Sequence, residues 1–233
     1  MTQFDGRCVV VTGGTGALGT GIVGALLDGG AEVYVPWKDE AELARSPHAH
    51  RQGFHARGPV DLANEADVAS FFAGLPSVWA SIHTVGGFAM APLCETTAEA
   101  FRAMHELNVM TCFLACREAV RRMRGGGYDG GRIVNVGARA AQIPTGGMAA
   151  YTAAKAAVAS LTVSLGEELR HDGIFVNAVI PSIIDTPQNR AAMADADHAL
   201  WPTPAAIART VAFLASPDNR TTRGALVPVY GDA

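Results

Sequence analysis

Cys8-Val-Val-Val-Thr12-Gly-Gly-Thr-Gly-Ala-Leu-Gly19 runs four apolar residues and a threonine directly into a glycine-spaced turn, with the helix-length segment Thr20–Gly29 behind it. A short continuous apolar run of this kind reads as a strand buried on both faces. Glycines placed straight after such a strand allow a tight turn, let backbone approach a pyrophosphate, and let the following helix pack on the strand. A helix beginning near Gly16 then aims its free N–H groups at an anion. Gly14, Gly16 and Gly19, spaced G-x-G-x-x-G in this setting, predict a dinucleotide phosphate site.

Outward from this turn, strand-like and helix-length segments alternate. Arg7–Thr12, Glu32–Pro36, Ser81–Val85, Arg132–Val136, Phe175–Ile180 and Ala225–Tyr230 read as strands, and Asp61-Leu62 closes one more. Between them Ala66–Gly74, Ala98–Arg124, Ala149–His171 and Pro204–Ala215 read as helices. That alternation predicts an α/β protein: a doubly wound Rossmann fold, with a central parallel sheet of about seven strands, right-handed crossovers and helices on both faces. The glycine-rich Gly125–Gly131 reads as a helix stop and loop, so residues 1–233 are expected to form a single NAD(P)-binding domain.

The bulk numbers narrow the classes. The chain has 233 residues, 49% hydrophobic and 17% charged, with a formal net charge of −4. An acidic balance argues against a nucleic-acid partner, and the cluster Arg117, Arg121, Arg122 and Arg124 suits the C-terminal end of a helix instead. No apolar run approaches the roughly 20 residues of a membrane span, and no signal-peptide pattern opens the chain, so a cytoplasmic location is expected. Cys8, Cys94, Cys112 and Cys116 show neither a disulfide framework nor zinc spacing. Cys112 and Cys116 lie one helical turn apart in an apolar stretch that no histidine joins, which reads as packed core thiols and no metal site.

The second strand ends Val33-Tyr-Val-Pro-Trp37-Lys38. An acid here suits the ribose 2′-hydroxyl of NAD and a base suits the 2′-phosphate of NADP. Trp37 takes the acid's place and Lys38 follows, which favours NADP(H) over NAD(H), although Asp39 and Glu40 stand close. Asp61 offers a carboxylate to an adenine amino group or a cap to the helix behind it. Much later, Tyr151-Thr-Ala-Ala-Lys155 puts a phenol and an ammonium on one helix face. Tyrosine, with an ordinary pKa of about 10, is a poor base near neutrality; a nearby ammonium lowers that value and makes proton exchange with a hydroxyl or carbonyl practicable.

These motifs in this order resemble the short-chain dehydrogenase/reductase family along nearly the whole chain. Leu107-Asn108-Val109, Arg132–Val136, Val176–Pro181 through Thr186, and Thr222–Gly224 with Val227–Gly231 fit in sequence with the glycine turn, Asp61-Leu62 and the Tyr151–Lys155 pair. The resemblance implies that Tyr151 exchanges the proton, that Lys155 holds the nicotinamide ribose and lowers the tyrosine pKa, and that Asn108 supports a water of the proton relay. It implies a phosphate cradle of Gly13, Thr15, Gly16, Leu18 and Gly19, and an adenosine end of Trp37, Lys38, Asp61 and Leu62. Val85, Gly86 and Gly87 would line the middle of the cofactor, and Pro181, Ile183 and Thr186 its carboxamide side. A homodimer or homotetramer is implied in the same way.

Three departures stand out. The glycine turn is spaced T-G-x-x-G-x-x-G where the short branch of the family spaces T-G-x-x-x-G-x-G. His83-Thr-Val-Gly86 replaces Asn-Asn-Ala-Gly, and His83 reads as a strand-end packing residue. Ala138 occupies the place of the catalytic serine, thirteen residues before Tyr151, leaving Gln142, Thr145 or Arg139 as nearby donors. Loss of one such donor lowers turnover by typically ~10²–10³. The expected function is NAD(P)-dependent reduction of a small or medium, partly apolar carbonyl to an alcohol, with Met90, Pro92, Leu93, Met193, His198, Leu200 and Trp201 as candidate walls. The alternatives are a cofactor-binding protein with weak or no redox turnover, and a non-redox acid–base enzyme on the same site.

Overall fold

The computed structural model describes residues 3–233, so residues 1 and 2 of the expected 1–233 domain lie outside the described residues. Seven parallel strands form one sheet in the order β3-β2-β1-β4-β5-β6-β7. They are β1 (Cys8–Thr12), β2 (Glu32–Pro36), β3 (Phe54–Arg57), β4 (Val78–His83), β5 (Gly131–Val136), β6 (Ile174–Pro181) and β7 (Leu226–Val229). Eight α-helices connect them: α1 (Ala17–Asp28), α2 (Glu40–Ala44), α3 (Glu65–Ala73), α4 (Ala98–His105), α5 (Thr111–Arg124), α6 (Ala149–Glu168), α7 (Pro187–Ala192) and α8 (Pro204–Ala215).

Alternation along the strands splits the interior into two layers. Val9, Val11, Ala80, Ile82, Val134 and Val179 face α1 and α8, where Ile22, Leu26, Ile207, Val211 and Leu214 are buried. Val10, Val78, Ile133 and Val176 face the other way, onto Phe71, Phe72, Leu114, Ala115 and Val158 of α3, α5 and α6. Each fully buried Val, Leu, Ile or Phe contributes about 1.5–3 kcal/mol, so both faces of the sheet are committed to helices.

Several boundaries differ from the sequence reading. The third strand is Phe54–Arg57; Asp61 and Leu62 lie in the turn beyond it. The fourth strand starts earlier and ends at His83, because Val78 and Trp79 are buried strand residues too. The long helix expected over 98–124 is broken by a π-turn at Glu106–Met110. Its cause is local: Asn108 Nδ2 donates to the Met104 carbonyl at 3.0 Å, the acceptor an α-helix reserves for the backbone four residues on. The basic cluster is occupied by structure. Arg117 and Arg121 pair with the buried Glu118, Arg124 with Asp172, and Arg122 donates to the Leu75 carbonyl. No helix among the described residues is long and apolar enough to cross a membrane.

The sheet order reverses between β1 and β4, where the chain has run outward through β2 and β3 and returns to the other side of β1. A crevice opens at such a point, outside the carboxyl ends of the strands. The Thr12 carbonyl there accepts from both the backbone N–H (3.1 Å) and the hydroxyl (2.8 Å) of Thr84. Gly19 lets α1 sit against the turn, since a Cβ there would overlap the Gly13 carbonyl. Gly19→Ala is therefore expected to lower stability by about 1–3 kcal/mol, read as a lower urea midpoint at unchanged denaturant slope.

Candidate active site

The crevice is built from the ends of β1, β4, β5 and β6 and the starts of α1 and α6. At its phosphate end, α1 begins at Gly16 with no side-chain cap, whereas α3, α4 and α8 are capped by Asn64, Thr97 and Thr203. The first-turn N–H groups of α1 are thus left for an external anion. Gly13 holds φ +70°, and a Cβ on it would lie 2.6 Å from Thr84 Oγ1. Leu18 packs against the core on the α1 face, so its contribution to the cradle is its backbone. Thr15 donates its hydroxyl to Glu42 of α2 at 3.0 Å, a carboxylate that sequence spacing gave no reason to place beside the glycine turn.

At the adenosine end, Lys38 and Asp61 form an exposed ion pair of 2.6 Å. That hydrogen bond holds the Asp61 carboxyl below the usual range, helped by the Ala63 backbone N–H. Asp61 therefore does part of a capping task, while the cap of α3 itself is Asn64. Trp37 is half-buried over Gly58, on which a Cβ would meet its indole at 2.7 Å. Leu62 turns its side chain into the core beside α3 and α5.

The centre is defined by Gly86. A Cβ there would lie 2.6 Å from Asn108 Oδ1 and 3.1 Å from Lys155 Nζ, so the two polar groups converge on one bare stretch of backbone. Asn108 is locked in place: its Oδ1 accepts from the Gly87 N–H and its Nδ2 donates to the Gly87 carbonyl, both at 3.2 Å. Lys155 is buried and donates to the Val136 carbonyl at 3.0 Å. Burial pushes its pKa down to about 8. One turn back, Tyr151 is half-buried with the Phe88 ring edge-on at 5.0 Å.

Burial pushes the Tyr151 phenol up to about 12. The lowering expected from Lys155 is absent in this geometry, because the ammonium is turned to the Val136 carbonyl and desolvation dominates the phenol. A phenol in that state holds its proton at neutral pH and is an acid rather than a base.

Ala138 is buried in extended backbone just past β5 and offers no hydroxyl. Of the substitute donors considered, Gln142 is exposed and its Oε1 accepts from the Tyr230 hydroxyl at 3.0 Å, while Arg139 lies over the Tyr230 ring at 5.4 Å. Thr145 is exposed on the loop before α6. Of the residues expected to face a carboxamide, Pro181 closes β6, Ile183 is exposed, and the Thr186 oxygen accepts from the Asn189 N–H to cap α7, leaving its own O–H free to donate. Among the candidate walls, the 88–91 segment lies against the loop that leads into α6, with Ala91 N–H on the Gly147 carbonyl at 2.8 Å. Phe88, Met90 and Leu93 are exposed there, and Met193 and Leu200 border solvent. Trp201 is instead buried, with His198 tilted against it at 4.6 Å, so both are packing residues.

Beneath the crevice lies a buried polar network that sequence reasoning missed. His83 contacts Ser81 Oγ and Asn135 Oδ1, each at 2.8 Å, and Cys116 Sγ at 3.4 Å. His83 thus joins the face of Cys112 and Cys116 after all. The signal was out of reach in one dimension, since 29 residues separate His83 from Cys112 and only the β4–α5 crossover brings them together.

Lys155 also gives the site a pH signature. A lysine whose ammonium form is disfavoured by folding opposes stability below about pH 8, and the penalty vanishes above the ordinary value of 10.5. The unfolded chain binds more protons across that window, so stability rises with pH. Relative to Lys155→Met, the protein without nucleotide should gain on the order of 3 kcal/mol between those limits, measured by urea unfolding at each pH.

The sequence profile of the short chain dehydrogenase family matches residues 7–197. Galactitol 2-dehydrogenase of Rhizobium johnstonii is 32% identical over 245 aligned positions, covering 97% of this chain and 95% of that protein. A short-chain type dehydrogenase/reductase from Mycobacterium ulcerans superposes with a TM-score of 0.89 at 25% identity, over 99% of this chain and 90% of that one. The NADPH-bound short chain oxidoreductase of Pseudomonas aeruginosa PAO1, described as containing an atypical catalytic center, superposes at 0.88 and 25% identity, over 97% and 95%.

Proposed function

This chain belongs to the short-chain dehydrogenase/reductase family, and within it we propose an NADP(H)-dependent reductase of small or medium, partly apolar carbonyl compounds with Tyr151 as proton donor. The observation that carries this reading is the convergence of Lys155 and Asn108 on Gly86, one helical turn from a phenol that keeps its proton.

The residues fit the cofactor. The uncapped start of α1 and the bare backbone at Gly13 and Gly86 are spaces that a Cβ would fill. Gly13, Thr15, Gly16, Leu18 and Gly19 would hold the pyrophosphate, Trp37, Lys38, Asp61 and Leu62 the adenosine, and Val85, Gly86 and Gly87 the middle. Lys155 would bind the nicotinamide ribose, and Pro181, Ile183 and Thr186 the carboxamide. A nicotinamide bound there supplies the hydride. Tyr151 would then deliver its proton to the developing alkoxide, and Lys155, with a water supported by Asn108, would return one to it from solvent. With Ala138 in place of a hydroxyl, the Tyr151 O–H is the one donor this reading assigns to the substrate oxygen. The exposed apolar rim of Phe88, Met90 and Leu93 favours an apolar substituent next to the carbonyl.

Phe101, Leu107, Met110 and Phe113 on α4–α5 and Val163 on α6 are exposed apolar side chains. A second copy covering them gives the homodimer or homotetramer of this proposal.

Tyr151→Phe should lower NADPH-dependent turnover of a ketone or aldehyde panel by roughly 10²–10⁴, with cofactor affinity retained. Ala138→Ser should raise it about 10-fold or more; no gain would assign the space to another chemistry, and cofactor binding without Tyr151-dependent turnover would make the protein a cofactor-binding module.

The NADP preference rests on Lys38, which is 70% exposed and free to exchange Asp61 for a 2′-phosphate. Glu42, on α2 and accepting from Thr15 of the glycine turn, opposes it. In fluorescence titrations NADPH should bind tighter than NADH, Lys38→Glu should reverse the order, and Glu42→Gln should favour NADPH further.

A further inference from the structure

The last three residues of β4, Ser81-Ile-His83, send two polar side chains to the α5 side of the sheet. The hydrogen-bond directions there follow one from another. Thr162 of α6 donates its hydroxyl to the Val158 carbonyl at 2.8 Å, so it accepts from Asn135 Nδ2 at 2.9 Å. Asn135 Oδ1 therefore points at His83, whose Nδ1 carries the hydrogen, and His83 Nε2 accepts from Ser81. His83, Asn135, Cys112 and Cys116 are all buried, the last two on the inner face of α5. The ligand atoms of His83, Cys112 and Cys116 lie within 4.8 Å of one another. Two soft sulfurs and an imidazole nitrogen thus share one buried space, and Asn135 Oδ1 borders it 2.8 Å from His83 Nδ1 and 3.6 Å from Cys116 Sγ.

We propose that His83, Cys112 and Cys116, with Asn135 Oδ1 as the fourth donor, form a binding site for one divalent cation of the zinc class. Metal–sulfur bonds of about 2.3 Å and metal–nitrogen bonds of about 2.0–2.1 Å give tetrahedral edges of about 3.4–3.8 Å. Cys116 Sγ already lies 3.4 Å from His83 Nδ1 and 3.6 Å from Asn135 Oδ1. The 2.8 Å contact between His83 Nδ1 and Asn135 Oδ1 has to open by about half an ångström as its hydrogen leaves.

Charge selects a divalent ion. Two thiols release two protons as they ligate, so a dication replaces two protons and the buried site stays neutral. A monovalent ion, replacing one proton, would stay neutral only by leaving the second thiol protonated and a poor ligand. The imidazole proton moves from Nδ1 to Nε2, where Ser81 Oγ at 2.8 Å turns from donor to acceptor and holds the ring, as partners of metal-bound histidines do. The ion would staple α5 to β4 and β5, directly below the strand end whose Val136 carbonyl holds Lys155.

The test uses the whole chain, expressed with added zinc, purified in reductant and desalted, with metal content by mass spectrometry. About one zinc per chain is expected, falling at least tenfold in both Cys112→Ala and Cys116→Ala, together with a lower melting temperature. Protein refolded with Co²⁺ should show a thiolate-to-cobalt charge-transfer band in the near ultraviolet, a readout that needs no variant to fold. Metal-free protein from zinc-rich cells with no such band after cobalt refolding overturns the proposal. So does zinc retained at full stoichiometry by either cysteine variant.

Discussion

Everything chemical in this molecule hangs on the way β4 is laid beside β1. A single carbonyl, that of Thr12, takes two hydrogen bonds from Thr84, and the register pairs Thr12 with His83 at the strand ends. Because the sheet order reverses at this seam, the loops leaving the two strands diverge to opposite faces and leave a crevice between them. The glycine turn enters from one side and Val85–Gly87 from the other. A parallel sheet buried on both faces cannot slide to relieve a misfit, since any slip would move two layers of apolar side chains at once.

The electrostatics of the crevice follow from burial more than from pairing. Lys155 is taken out of water and given one carbonyl, and its pKa falls; Tyr151 loses water without gaining a counter-charge, and its pKa rises. Both shifts disfavour the charged forms, yet at about 8 the Lys155 ammonium is still largely protonated at neutral pH, so the free site holds one buried cation beside a neutral phenol. A phenol kept protonated beside an apolar rim suits delivery of a proton to oxygen. Ala138, buried just past β5, adds no hydroxyl beside that phenol.

Below the crevice the network of His83, Asn135 and Thr162 runs from β4 through β5 into α6, the helix that carries Tyr151 and Lys155. Every donor in that chain has an acceptor, which is why a histidine can replace an amide at a buried strand end without leaving an unpaired group. The two cysteines of α5 complete the lining of the same space.

The sequence by itself determined the architecture. The run Cys8–Val11 is apolar because both faces of its strand are covered, and the glycines after Thr12 mark a turn where a Cβ at Gly19 would collide with the Gly13 backbone. It also determined that Tyr151 and Lys155 share a helix face, because a spacing of four is local geometry. Tertiary structure decided what depends on distance across the chain. It turned the Lys155 ammonium to Val136, reversing the expected shift of Tyr151, and paired Lys38 with Asp61 beyond the end of β3. It broke the helix around Asn108 and brought His83 to Cys112 and Cys116. Those contacts depend on desolvation and on crossover connections, and neither is written in the spacing of neighbouring residues.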